Sequence, residues 1–131
     1  MLSKHWLAGL ALCTAILPSA GQAAVTENTF QLRTTGDLVE LCSATPPDPM
    51  MTAAVNFCHG FALGVFRVLD EENAARRVNR LFCVPDPTPS RTQILTDFVQ
   101  WARSTPGMLD QRPADGITSY LVKIFPCPRG K

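Results

Sequence analysis

The sequence predicts an all-α fold, a small disulfide-stapled bundle of about four helices. Three observations point there. Apolar residues recur at steps of three and four through most of the chain, and no segment sustains a period of two. No hairpin dipeptide stands between apolar runs. Four cysteines lie near the expected ends of helical segments, in a chain of 131 residues of which 46% are hydrophobic.

The first 23 residues are read as a secretory signal. Lys4 precedes an apolar run from Trp6 to Leu17, and Pro18-Ser19-Ala20-Gly21-Gln22-Ala23 supplies a helix breaker and small residues for cleavage near Ala23. Cutting there places Gly21 and Ala23 at the two positions that require small side chains. The run is shorter than the roughly 20 residues of an ordinary membrane span. The expected product is an exported, periplasmic domain over residues 24–131, with no membrane attachment after cleavage. Removal of Lys4 leaves 11 basic residues against 11 acidic ones. That balance gives no reason to expect nucleic acid or an anionic membrane surface as a partner.

Residues 24–34 are polar and irregular and read as a mobile arm. Thr35-Gly36-Asp37 then opens a short first helix through Leu38, Val39, Leu41 and Cys42, with an acid in its first turn. The longest helical stretch runs from Met51 to Leu69. Met51, Ala54, Val55, Cys58, Ala62, Val65 and Leu69 form one stripe, with Asp48 expected as N-cap and Pro49 at the first helical position. This helix is expected to be the spine of the fold. Gly60 and Gly64, four apart on one face, each cost about 1 kcal/mol against alanine in a helix. They are therefore expected to admit a second helix at close approach.

The segment Asp70 to Arg80 is dense in charge, acids first and bases last, and suits a helix end or an exposed connector. Pro85, Pro87 and Pro89 make a stiff turn that excludes helix. Ser90-Arg91-Thr92-Gln93 has the form of a capping box before a helix through Ile94, Leu95, Phe98, Trp101 and Ala102. Pro113 begins the last helix, with an expected stripe of Ala114, Ile117, Leu121 and Ile124, and Phe125-Pro126 ends it.

Cys42, Cys58, Cys83 and Cys127 remain after cleavage. An even number in an exported chain of about 100 residues reads as two disulfides. Short connections make neighbouring helices antiparallel. Cys42 and Cys58 then share one end of the bundle, and Cys83 and Cys127 the other, favouring the pairs 42–58 and 83–127 over the two other connectivities.

No catalytic set is visible. His59 is the single histidine of the exported part. A secreted-phospholipase reading of Cys58-His59 fails because Gly60, not an aspartate, follows the histidine and no glycine-rich calcium loop precedes it. One histidine without carboxylates at matching spacing makes no zinc site, and no serine has a G-x-S-x-G context. No enzyme activity, metal or cofactor is expected. The helical aromatics are most simply core.

Leu41-Cys42, Cys58-x-Gly60-Phe61-x-x-Gly64, Phe82-Cys83-Val84-Pro85, the helix end at Thr105-Pro106, and Phe125-Pro126-Cys127 occur in the order found in the Rap/Tai immunity family. The chain resembles these small periplasmic proteins from about Phe30 to Cys127. Phe61 stands where the family usually has Tyr, and the connector from Asp70 to Arg80 is longer than usual. The resemblance implies a helical, often dimeric protein that occludes the cleft of a cell-wall amidase effector of type VI secretion. The exposed connector and the proline turn are the expected partner-binding segments; the connector offers Arg76, Arg77 and Arg80, arginine being enriched at interface hot spots, and Arg76 and Arg77 rank ahead of Asp86. The competing reading is a general periplasmic helical binding or chaperone-like protein without a dedicated effector.

Overall fold

The computed structural model describes residues 24–76 and 78–128; the signal assignment and Arg77 fall outside them. Within the described residues the chain forms four α-helices and no strand: α1 (Thr35–Cys42), α2 (Met51–Ala75), α3 (Arg91–Ser104) and α4 (Pro113–Ile124). Two short 3-10 turns, Thr29–Gln31 and Met108–Asp110, accompany them.

Helix α1 starts at a full capping box. Thr34 Oγ1 accepts from Asp37 N at 3.1 Å, and Asp37 Oδ2 accepts from Thr34 N at 3.1 Å. Though only 8 residues long, α1 touches each of the other three helices. Thr35, Leu38 and Leu41 are all fully shielded at 0% exposure. Around α1 pack Phe98 and Ala102 of α3, Ile117 and Leu121 of α4, and Phe82 from the connector. A second cluster joins Leu41 to Ala54 and Cys58 of α2 and to Leu95.

The expectation that α2 is the spine is therefore corrected. It is the longest helix, but only Ala54, Cys58 and Asn73 along its 25 residues are buried. Burial needs partners on several sides, and α2 lies against the bundle along one face. Its expected stripe does face inward, with Ala62, Val65 and Leu69 packed on the core. By length and composition α2 could cross a membrane. Its inner face is instead committed to the protein core, and Arg67, Asp70, Glu71 and Glu72 crowd its final third.

Four further expectations change. Asp48 and Pro49 precede α2 in two successive turns, with Asp48 N donating to Thr45 O at 3.0 Å and Met51 N to Asp48 O at 3.1 Å, so Met50 is the N-cap residue. The Asp48 carboxylate accepts from Met50 N and, through its other oxygen, from Val25 N, both at 2.8 Å. That second bond docks the segment expected to be a mobile arm: Val25 and Thr29 are buried. Gly60 and Gly64 face open space; a Cβ on either would meet nothing within 4 Å. The close helix approach occurs instead at Gly116, beside Thr35. The stripe of α4 is correspondingly rotated. Pro113, Gly116, Ile117, Tyr120 and Leu121 are buried, while Ala114 and Ile124 are exposed.

Helix α3 keeps half of its capping box. Ser90 Oγ accepts from Gln93 N at 3.2 Å, but the Gln93 amide turns forward to Asp97 Oδ1 at 2.8 Å.

Disulfides join Cys42 to Cys58 and Cys83 to Cys127. The first ties the end of α1 to α2, and the second ties the chain leaving the connector to the tail after α4. Their sequence separations of 16 and 44 correspond to about 3 and about 4 kcal/mol in the chain-entropy model. The second is reinforced by Cys83 N, which donates to Phe125 O at 2.7 Å.

Candidate partner-binding surface

The charged stretch from Asp70 divides in two. Residues 70–75 are the last turns of α2, and the connector proper begins at Arg76, whose N–H donates to Asn73 O at 3.2 Å. Asn73 is 2% exposed. Its Oδ1 accepts from Leu81 N and its Nδ2 donates to Phe82 O, each at 2.7 Å. One side chain thus satisfies two main-chain groups and turns the connector back onto the helix end. Phe82, at 1% exposure, is driven into the core directly after this clamp. Asparagine suits the task because its amide both donates and accepts in one plane. The sequence did not single it out, since an Asn within a charge run reads as one more solvated residue.

Outside the clamp, Arg76 and Arg80 are exposed, as are Val78 at 74% and Asn79, the latter with φ 57°. The single ion pair among the described residues is Arg112–Asp115, so Arg76 and Arg80 have no carboxylate partner there. Asp86 is exposed in the proline turn, where the Pro46-Pro47 type of cis peptide recurs at Asp86-Pro87. Both segments flank the anchored Phe82-Cys83 pair, so the protein holds two exposed loops on a fixed root. Among the described residues no ion pair joins Arg76 or Arg80 to Asp86.

A second exposed feature is the outer face of α2. Phe57 at 39%, Val68 at 59%, and the two open glycines lie along it. The ring of Phe57 meets Phe30 edge-on at 5.6 Å. No Asp, Glu, Lys or Arg stands between Met51 and Phe66.

A third is an apolar cavity of about 180 Å³ between α2, α3, α4 and the proline turn. Tyr120 is part of its wall and is 2% exposed. The ring packs edge-on against Phe98 at 5.6 Å and Trp101 at 5.5 Å. Burial pushes the phenol pKa up, and the negative charge of Asp97 adds to the shift.

His59 is half-buried on α2 beside a cysteine engaged in a disulfide. Among the described residues no group of His, Cys, Asp or Glu is placed to hold a metal ion.

Against this geometry, a family model described as Rap1a immunity proteins matches residues 34–127. The match begins at the N-cap of α1 and ends at the last disulfide cysteine, spanning all four helices and both bridges. The chain belongs to the Rap1a immunity protein family. Membership implies an immunity protein directed at a secreted effector, in a family that is generally non-enzymatic. A Rap1a protein with two disulfides is compatible with an exported, periplasmic setting. None of the curated proteins and none of the solved structures matches this Rap1a chain.

Proposed function

We propose that the protein is a periplasmic immunity protein, exported by cleavage near Ala23, that binds a cell-wall amidase effector and occludes its cleft. Membership of the Rap1a family over residues 34–127 is the observation that carries this reading. The amidase target comes from the resemblance of the cysteine motifs to the Rap/Tai proteins. The mechanism is steric block without chemistry, and the protein is not an enzyme.

The connector and the proline turn are the best candidates for the contact. Arg76 and Arg80 carry unpaired charge that can steer encounter and anchor a partner. Arg77 lies between them in sequence. Asp86 sits on a proline-stiffened turn that loses little entropy on binding. The pairing of two copies, implied by the same resemblance, is best supported on the outer face of α2, whose stretch from Met51 to Phe66 carries no Asp, Glu, Lys or Arg and leaves Phe57 exposed.

The test is calorimetry of the mature protein with a type VI secretion cell-wall amidase effector, against a variant in which Arg76, Arg77 and Arg80 are alanine. The expected result is tight binding, inhibition of muropeptide cleavage, and at least tenfold weaker affinity in the variant. Unchanged affinity with an intact circular dichroism spectrum removes the connector from the interface. Absence of any binding by the unmodified protein favours the effector-free binding or chaperone-like alternative.

A further inference from the structure

The cavity beside α3 is not accounted for by an immunity role. Apolar surface left in contact with water is unfavourable. Here about 180 Å³ stays open, against a wall that includes the buried core residues Leu95, Phe98, Ile117 and Leu121. An engineered apolar cavity of about 150 Å³ takes up benzene, so a pocket of this size admits a short apolar chain. An apolar occupant would gain dispersion contacts with these walls and remove their carbon surface from water.

The walls are almost wholly carbon, and the polar groups on them indicate how an occupant is oriented. Thr88 and Arg91 line the cavity from the proline turn and from the first position of α3. Arg91 is exposed and has no ion pair among the described residues. The first turn of α3 adds a field that favours an anion at the same place. Tyr120, the other polar residue of the wall, senses the negative charge of Asp97. An anionic end therefore belongs at Arg91 and not at the phenol.

We propose that this cavity binds a medium-chain carboxylate such as octanoate, with its tail against Phe98 and Leu121 and its carboxylate at the Arg91 guanidinium. Thr88 and Pro89 of the proline turn line this site, whereas Arg76 and Arg80 of the connector do not. An uncharged apolar group, such as a leucine or phenylalanine side chain of a partner protein, would fill the same space but would gain nothing from Arg91.

The experiment is calorimetry of the mature protein with sodium octanoate and with 1-octanol, repeated on Arg91→Ala, together with methyl NMR. Octanoate is expected to bind in a one-to-one ratio and octanol at least tenfold more weakly. Arg91→Ala should lose about tenfold for octanoate and leave octanol unchanged. The methyl signals of Leu63, Ile94 and Ile117 should shift. Three results each overturn the proposal: no octanoate binding at millimolar concentration, octanol binding as well as octanoate, or shifts that map to Val68 on the outer face of α2. Arg91→Ala is at an exposed position, and its melting temperature verifies that the fold is retained.

Discussion

Substituting Gly116 by alanine tests the crossing of α1 and α4. A Cβ built at Gly116 collides with Thr35 Oγ1, lies 2.8 Å from Thr35 Cγ2 and 3.2 Å from Thr35 Cβ. Rotation about χ1 cannot relieve the strain, because Thr35 Cβ is itself too close. Nor can the threonine backbone retreat freely, since Thr35 N donates to Gln111 O at 2.7 Å. Thr35 Oγ1 also donates to Arg112 O at 3.1 Å, a bond that any displacement weakens. Overpacking of this kind costs about 1–3 kcal/mol, and the weakened bond adds about 1 kcal/mol. Alanine's better helix propensity returns about 1 kcal/mol. The net is a loss of about 1–3 kcal/mol, or a melting temperature lower by roughly 5–20 °C for a domain of this size. Gly64→Ala is the matched control. It adds the same methyl where nothing lies within 4 Å, so propensity alone should stabilise by up to about 1 kcal/mol. Thermal unfolding followed by circular dichroism reads both variants. A Gly116→Ala protein that melts at or above the wild-type temperature refutes the assigned crossing.

Asn73→Ala leaves Leu81 N and Phe82 O without their 2.7 Å partners and should cost about 2–4 kcal/mol, read as a lower urea midpoint at unchanged slope. Cys83→Ser should cost about 2–5 kcal/mol under oxidising conditions, checked by calorimetric melting; an unchanged transition excludes a structural bridge to Cys127. Tyr120 is the chain's single tyrosine, so tyrosinate absorbance reports it alone, and it should titrate above its ordinary value of 10.0. Because the folded state holds this proton more tightly, the unfolded chain ionises first. The associated stability is complete below about pH 10 and is lost as pH rises through the raised folded value. Tyr120→Phe should remove that part of the alkaline slope, and a wild-type titration at or below the ordinary value refutes it.

The helical class and the starts of α1, α3 and α4 are legible in the chain before it folds. Those features are local: Pro113 at a first turn, Ser90 capping Gln93 N, and period-four apolar spacing act within a few residues. The sequence also favoured the observed cysteine pairing, because placing Cys42, Cys58, Cys83 and Cys127 at helix ends needs only antiparallel neighbours. Which helix is central emerges only from packing. Length and hydrophobicity favoured α2, whereas burial depends on how many sides are covered, and the eight residues of α1 are covered by three helices. The same physics moved the glycine crossing. Gly60-x-x-x-Gly64 has the spacing for close approach but no helix opposite it, while Gly116 stands alone in its helix and meets Thr35 from a distant part of the chain. The Asn73 clamp and the cavity lined by Leu63, Arg91 and Tyr120 are likewise products of assembly. They join residues whose proximity no periodicity encodes, because each contact belongs to two segments at once.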